Sequence, residues 1–332
     1  MFAEIQRGPE VIRPSAFWEA WGDQHLRLLT AAGFASFKRT INRNYFNWVP
    51  RSPLDDQFRV VARDALRRGT AVRAMRARLE DTADLDFLPR AAQRRAHAVF
   101  LALLWEYVNA RDPRRLLERL EEPSLGRPIV VRHRGRRISQ DLCNSVHELG
   151  SMLEHTSGLP VGRVIELGSG YGRVAWTLLR AFPTTRYVLV DIPPALAVAQ
   201  RYLTALLPTL RTFTFRPFGD PVLVAEEVAD AQLAFLTPNQ LARLPSLEAD
   251  LFVNISSLHE MRIEQIEFYL REVDRHCVGA FYTKQWKSSS NPFDRVVIKR
   301  EDYPIPEHWS TIYSRDHPIQ TAFFEALYSV RP

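Results

Sequence analysis

The sequence predicts an α/β protein in which a doubly wound, mostly parallel sheet follows an N-terminal helical region. Three observations predict it. From about residue 160 short apolar runs alternate with helical patterns, as strands joined by crossover helices do. One of these runs, Arg163-Val-Ile-Glu-Leu167, ends in a loop with three glycines. The next, Tyr187-Val-Leu-Val-Asp191, ends in an acid. Upstream the periodicity is helical, so the expected division is a helical region over 1–125 and a sheet domain over 126–332.

The elements are expected in this order. Phe17, Trp18, Trp21, Leu28 and Leu29 follow helical spacing, and so do Ala62, Leu66, Val72, Met75 and Leu79, on a helix with a basic outer face. Val99 to Val108 is apolar throughout and reads as a buried helix. Pro123 to Pro128 interrupts the pattern. Ile129-Val-Val-Arg-His133 and Arg134-Gly-Arg-Arg-Ile138 then read as a hairpin turning at Gly135. Ser139 is a candidate cap for a helix carrying Leu142, Val146, Leu149 and Leu153 on one face. After the glycine loop comes a helix over Val174 to Phe182, and Pro193-Pro194 opens another after Asp191. Further strands are expected at Thr212–Phe215, Gln232–Leu236, Asp250–Ile255, Val278–Tyr282, near Thr311-Ile-Tyr313 and over Phe323–Val330, with a helix over Ile263–Val273.

Composition narrows the class. Charged residues make up 25% and the hydrophobic set 46%, ordinary for a globular chain. No apolar run approaches the ~20 residues that span a bilayer. The segment beginning Met1-Phe-Ala-Glu lacks the apolar core of a signal peptide. Cys143 and Cys277 have no disulfide or zinc spacing and read as packing residues, which suits a reducing cytoplasm. The net charge is +6, but 40 of the 44 basic residues are arginines spread along the whole chain and interleaved with acids. That pattern points to solvated helix faces rather than to a nucleic-acid surface. The four lysines are Lys38, Lys284, Lys287 and Lys299, and two of them follow the strand expected at Val278–Tyr282. Homo-oligomerisation is left open.

The glycine loop carries the strongest signal. Glu166-Leu-Gly-Ser-Gly-Tyr-Gly-Arg173 spaces Gly168, Gly170 and Gly172 as G-x-G-x-G. A dinucleotide loop reads G-x-G-x-x-G and seats a pyrophosphate on a helix N-terminus. This loop lacks that spacing and has Glu166 in the strand end, where a carboxylate repels phosphate and suits an ammonium. Asp191 follows the last glycine by 19 residues, the place of the acid that accepts ribose hydroxyls in doubly wound nucleotide sites. Glycines and both acids together point to S-adenosylmethionine, with Ser169, Tyr171, Arg173 and Ile192 as flanking cofactor-site candidates. A solvated Asp191 ahead of a proline-opened helix is the structural alternative.

The strand Asp250–Ile255 runs into Ser256-Ser-Leu-His-Glu-Met261. In a sheet of this kind ligands sit beyond the carboxyl ends of the strands, so Asn254 and Ser256 are further cofactor-site candidates. His259 is the candidate general base, because imidazole titrates near neutrality; a helix-start histidine bonded only locally is the alternative. Glu260 is either catalytic or the last member of a capping box begun by Ser257. No D-x-D pair accompanies them to indicate a divalent metal. Tyr282-Thr-Lys-Gln-Trp286 offers an aromatic face and polar groups suited to a polyhydroxylated ring, with Tyr282, Lys284, Gln285 and Trp286 as acceptor-binding candidates; strand-edge packing is the alternative.

Several segments together resemble the bacterial sugar O-methyltransferase family, a branch of the class I S-adenosylmethionine-dependent enzymes. They are Gly33-Phe-Ala-Ser-Phe-Lys-Arg-Thr-Ile-Asn-Arg-Asn-Tyr-Phe-Asn-Trp48, Ile138-Ser-Gln-Asp-Leu-Cys-Asn-Ser145, the glycine loop, Val190-Asp-Ile-Pro-Pro194, Phe252-Val-Asn-Ile-Ser-Ser-Leu-His-Glu-Met261, Phe281-Tyr-Thr-Lys-Gln-Trp286, and Pro318-Ile-Gln320 with Phe323-Phe-Glu-Ala-Leu-Tyr328. The resemblance implies a Rossmann-like sheet ending in an antiparallel hairpin, S-adenosylmethionine as donor, and a sugar hydroxyl, free or in an oligosaccharide, as acceptor. It also implies that Lys38, Arg39, Asn42 and Tyr45 cover the active site, and that Gln140, Asp141 and Asn144 lie near the cofactor. Methyl transfer to another small-molecule hydroxyl or amine, and a catalytically silent cofactor-binding module, are the competing readings.

Overall fold

Eight strands form the main sheet of the computed structural model, which describes residues 1–45, 50, 52–83, 85, 88–154 and 162–331, with the backbone alone for 42–45. In chain order they are β1 (Arg163–Leu167), β2 (Arg186–Val190), β3 (Thr212–Phe213), β4 (Leu233–Leu236), β5 (Ala249–Ile255), β6 (Cys277–Trp286), β7 (Ser310–Asp316) and β8 (Phe323–Ser329). Their spatial order is β7-β8-β6-β5-β1-β2-β4-β3. β1 to β6 run parallel, whereas β8 is antiparallel to β6 and to β7. The chain moves outward from β1 on one side, then returns to place β5 on the other. The switch point therefore lies between β1 and β5, where doubly wound sheets bind their ligands.

The chain divides into two compact units. The sheet unit contains residues 1–25, 155–317 and 322–332. Its inner strands are apolar because both faces are covered: Val164, Ile165, Val188, Leu189, Val190, Phe252 and Val253 are all at most 2% exposed. Gly279 permits the close approach of β6 to β5, since a Cβ there would run into the backbone oxygen of Asp250. Cys143 and Cys277 are both buried, and burial pushes both thiols up, Cys277 to about 11, so neither supplies a thiolate.

The helical unit contains residues 26–154 and 318–321. Its spine is the helix Ala91–Asn109, in which Phe100, Leu101, Leu104 and Trp105 are buried. The expected hairpin is present as Val131–His133 and Arg136–Ile138, turning through Arg134 and Gly135 at positive φ. Ser139 caps the helix Gln140–Leu153 by accepting from the Leu142 N–H at 3.0 Å.

One sequence expectation fails here. The stripe Leu66, Val72, Met75 is not a buried face: these residues are 71%, 67% and 61% exposed. The helix Asp56–Arg67 stops short of Gly69, which takes φ +69, and a separate short helix, Ala71–Ala74, follows. Val61 and Ala65 are the buried residues of the first helix, which leaves Leu66 outside, and Ala74 is the buried residue of the second. Among the described residues no helix is long and apolar enough to cross a membrane.

Candidate cofactor and active site

Three glycines carry the chain from β1 into the helix Arg173–Ala181, at φ +73 (Gly168), +57 (Gly170) and +85 (Gly172). Left-handed backbone is cheap only for glycine. At Gly168 a side chain would also meet Ser257, with its Cβ at 2.6 Å. The Ser169 hydroxyl is buried and has no protein hydrogen-bond partner among the described residues. Tyr171 packs edge-on against Tyr202 with ring centroids 5.3 Å apart, so its ring contributes to the core beneath the helix Ala195–Leu206. Arg173 begins the helix and is partly exposed.

Asp191 stands just beyond β2 and is buried. Its Oδ2 accepts from the Gly170 N–H and its Oδ1 from the Ile192 N–H, both at 2.7 Å. The carboxyl thus holds the glycine loop in place while each oxygen retains a lone pair. Burial pushes its pKa up to about 7, against the opposing effect of the two N–H bonds. Glu166 sits inside β1, and its Oε2 accepts from the Tyr187 hydroxyl at 2.9 Å. A solvated Asp191 is therefore ruled out.

The end of β5 is a hydrogen-bonded relay. The Asn254 amide donates to the Leu167 carbonyl at 2.9 Å and to Ser257 Oγ at 2.6 Å, and its Oδ1 accepts from the Leu258 N–H at 3.3 Å. It ties β1 to β5, so Asn254 fastens the loop rather than offering groups to a ligand. Ser256 is partly exposed at φ +58 and donates its N–H to the Lys284 carbonyl at 2.8 Å.

His259 is buried in the short helix Leu258–Glu260. Its Nδ1 lies 2.9 Å from Gln285 Oε1 and its Nε2 3.2 Å from Glu260 Oε1. Burial lowers the imidazole pKa to about 4, partly offset by the Gln285 bond. Burial likewise raises Glu260 well above the usual carboxylate range, offset in part by a hydrogen bond from Trp18. The capping-box alternative for Glu260 fails, because Ser257 makes no cap bond and its hydroxyl is engaged by Asn254.

The acceptor-binding candidates are divided by a longer strand than expected. β6 continues to Trp286 instead of ending at Tyr282, because pairing with β8 runs through Trp286. Alternation then splits the residues. Tyr282 donates to Glu325 Oε2 at 3.0 Å, Lys284 lies 5.3 Å from the Phe323 ring, and Trp286 packs on Phe323 at 4.8 Å and edge-on to His259 at 6.1 Å. Gln285 faces the other way. Its amide donates to Asn254 Oδ1 at 2.6 Å and to Thr283 Oγ1 at 2.9 Å while its oxygen faces His259. Its polar atoms are spent within the protein, so it orients His259 rather than meeting an acceptor.

The remaining candidates belong to the helical unit. The Lys38 ammonium pairs with Glu122, whose other oxygen accepts from the Ser139 hydroxyl at 2.6 Å. Arg39 bonds to the carbonyls of Arg127 (3.0 Å) and Ala83 and pairs with Asp81 at 3.0 Å. Both side chains are buried ties within their own unit. Lys38, Gln140 and Asp141 line a small cavity with His97, Ile129 and Ser139. The side chains of Asn42 and Tyr45 lie outside the described residues.

The sequence reading missed Trp18 and Ser257 as parts of the site. Ser257 was detectable, since a buried Asn in the apolar strand Asp250–Ile255 requires partners nearby. Trp18 carried no such signal, because its partner Glu260 is remote in the chain.

No family model matches the chain, and no curated protein matches it. Solved structures to which it is similar include the PH0226 protein from Pyrococcus horikoshii OT3, at 13% identity over 57% of this chain and 92% of that chain, with a TM-score of 0.42. Another is the 1,6-didemethyltoxoflavin-N1-methyltransferase of Burkholderia thailandensis, solved with S-adenosylhomocysteine bound, at 14% identity over 58% and 79%, TM-score 0.39. A third is an S-adenosylmethionine-dependent methyltransferase from Clostridium acetobutylicum, at 11% identity over 58% and 92%, TM-score 0.39. The α/β, Rossmann-like class of this chain rests on its own sheet order, parallel from β1 to β6 and antiparallel at β8.

Proposed function

We propose that this chain is an S-adenosylmethionine-dependent O-methyltransferase whose acceptor is a hydroxyl of a sugar or glycoside. The observation that carries the cofactor reading is the glycine loop locked to Asp191. Gly170 donates to Asp191 Oδ2, the Ser169 hydroxyl beside it is buried without a partner among the described residues, and Glu166 lies one residue before the end of the preceding strand. These residues fit the cofactor. Asp191 has lone pairs for both ribose hydroxyls, Ser169 and the loop backbone offer donors and acceptors to the amino-acid end, and Glu166 and Asp191 disfavour a pyrophosphate.

Bound there, the cofactor would supply an electrophilic methyl group on a sulfonium, and the acceptor hydroxyl that takes the methyl would have to give up its proton. This chain's task is to position the acceptor and take that proton, and His259 with Glu260 at the end of β5 is the group suited to it. The sugar reading is supported by the resemblance of the segments 33–48, 252–261 and 281–286, and by the aromatic Trp286 beside His259.

Calorimetry with S-adenosylhomocysteine tests the cofactor; absence of binding at millimolar ligand would sink it. Mass spectrometry of methyl glycosides, oligosaccharides, phenols and amines after incubation with the donor tests the acceptor. A 14-dalton gain confined to phenols or amines would overturn the sugar assignment.

A further inference from the structure

We infer that the tip formed by the helices Asp56–Arg67 and Ala71–Ala74 is a docking surface for membranes that contain anionic lipids, and this does not depend on the methyl-transfer reading. The arginines are spread along the chain, but their surplus over acids is not. Residues 59–78 hold seven arginines and one acid, Asp64, a surplus of six that equals the net charge of the whole chain. Asp64 is already committed, to Arg68 at 3.1 Å and to Arg111 at 2.7 Å. Arg59 lies 3.5 Å from Asp56. Among the described residues no acid pairs with Arg63, Arg67, Arg73, Arg76 or Arg78, and all five are exposed.

The same stretch carries exposed apolar side chains. Among the described residues of the helical unit, the exposed large apolar side chains are Leu26, Leu54, Leu66, Val72 and Met75, and the last four lie within 54–75. Both helices are anchored from behind. Val61, Ala65 and Ala74 are buried, Phe58 stacks on Phe100 of the helix Ala91–Asn109 with ring centroids 6.1 Å apart, and the Arg95 guanidinium donates to the carbonyls of Met75 and Ala77. Their outer faces are thereby fixed. Leu66 shares a face with Arg63 and Arg59, three and seven residues before it, and Val72 shares one with Met75, three residues after it. Between them Gly69, at φ +69, lets the Thr70 N–H donate back to the Ala65 carbonyl at 2.9 Å. That bond closes the first helix, and the second starts within one turn of its end. A Cβ on Gly69 would meet nothing within 4 Å, so the tip stands clear of neighbouring atoms.

Charge and apolar surface together select the occupant. At a lipid surface the aliphatic side chains leave water for the acyl boundary, while the guanidinium groups beside them stay among the headgroup phosphates and their stems cover apolar surface. A nucleic acid would use the arginines and leave Leu66, Val72 and Met75 idle, and residues 59–78 contain no Phe, Tyr, Trp or His to stack on a base. A second copy is disfavoured, because a two-fold contact would set the surplus of six charges against itself. The helix Asp56–Arg67 has 12 residues, too few to cross a bilayer, so the tip would lie on the membrane and not span it.

Co-sedimentation of the full chain with vesicles tests this. Binding is expected to vesicles of equimolar phosphatidylglycerol and phosphatidylcholine and not to phosphatidylcholine alone, and it should weaken as salt rises. An arginine at an anionic surface strengthens binding about fivefold, so the triple variant Arg67→Gln, Arg73→Gln, Arg76→Gln should bind on the order of a hundredfold more weakly. The triple variant Leu66→Ser, Val72→Ser, Met75→Ser keeps every charge and should still bind about tenfold more weakly. The substituted side chains are all exposed, so both variants should keep the wild-type midpoint in urea. Absence of binding to the anionic vesicles would overturn the proposal. Undiminished binding by the serine variant would also overturn it, by reducing the contact to charge alone. So would tighter retention on a DNA duplex or single-stranded RNA that the glutamine variant loses and the serine variant keeps, which would assign the tip to nucleic acid.

Discussion

Replacing Asp191 with Asn separates the two duties assigned to that carboxyl, holding the glycine loop and receiving ribose hydroxyls. In the folded protein its two oxygens accept from Gly170 and Ile192, each at 2.7 Å. An amide has a single carbonyl oxygen, so one of those buried N–H groups loses its acceptor, at about 1–3 kcal/mol. Burial acts in the opposite direction. The folded-state pKa is raised from 3.8 to about 7, so the group's contribution to stability is present below the unfolded value and lost as pH rises toward 7. At 1.36 kcal/mol per unit, the wild type should lose on the order of 3 kcal/mol through this group between pH 5 and 7.5, and the amide none. Without cofactor, Asp191→Asn should therefore be the less stable protein at pH 5 and equal or more stable at pH 7.5, as read by urea denaturation. Ligand binding should show the reverse slope in the wild type. Ribose hydroxyls bond best to the carboxylate, so S-adenosylhomocysteine affinity should rise toward tenfold per pH unit up to about pH 7, and stay flat in the variant. A stability difference that does not change with pH would refute the raised pKa, and a flat wild-type affinity would remove Asp191 from the ligand contacts.

Other substitutions address neighbouring links. Gly168→Ala places a methyl group against Ser257 at φ +73 and should cost about 1–3 kcal/mol in chemical denaturation, together with at least tenfold weaker S-adenosylhomocysteine binding. A variant that binds as tightly as the wild type would show that the loop need not take this shape. Arg39→Ala removes the ties to Asp81, Ala83 and Arg127 within the helical unit; about 2 kcal/mol of stability should go while cofactor affinity, by calorimetry, stays the same. Ser139→Ala deletes the cap on Leu142 and the bond to Glu122, with an expected loss of about 1–2 kcal/mol, read as a lowered midpoint in urea.

Short-range patterns in the sequence were enough for most of the sheet unit. β1, β2 and β5 fall where the apolar runs Arg163–Leu167, Tyr187–Asp191 and Asp250–Ile255 predict, because a strand covered on both faces must be apolar throughout. The hairpin turn at Gly135 and the cap at Ser139 were equally local, and each was found where its residue types require it. The glycine spacing and the acid at 191 also identified the loop, since backbone conformation and strand length set that spacing without help from distant residues.

The pairing of side chains was decided by tertiary structure. Strand register turns Gln285 toward His259 and Asn254, and away from Lys284 and Trp286, because pairing with β8 extends β6 and alternation assigns opposite faces to successive residues. Glu260 resembles a helix cap in sequence, yet it meets His259 and a tryptophan near the other end of the chain. The stripe Leu66, Val72, Met75 failed because the core-facing side of the first helix carries Val61 and Ala65, which leaves Leu66 outside, and the helix ends before Gly69, so Val72 and Met75 do not continue its phase. Periodicity and spacing depend on bonds between near neighbours, and these the sequence determined by itself. Which polar atoms meet depends on crossovers and register over many tens of residues, and burial, which sets the charge of Asp191, His259 and Glu260, exists only once those crossovers are made.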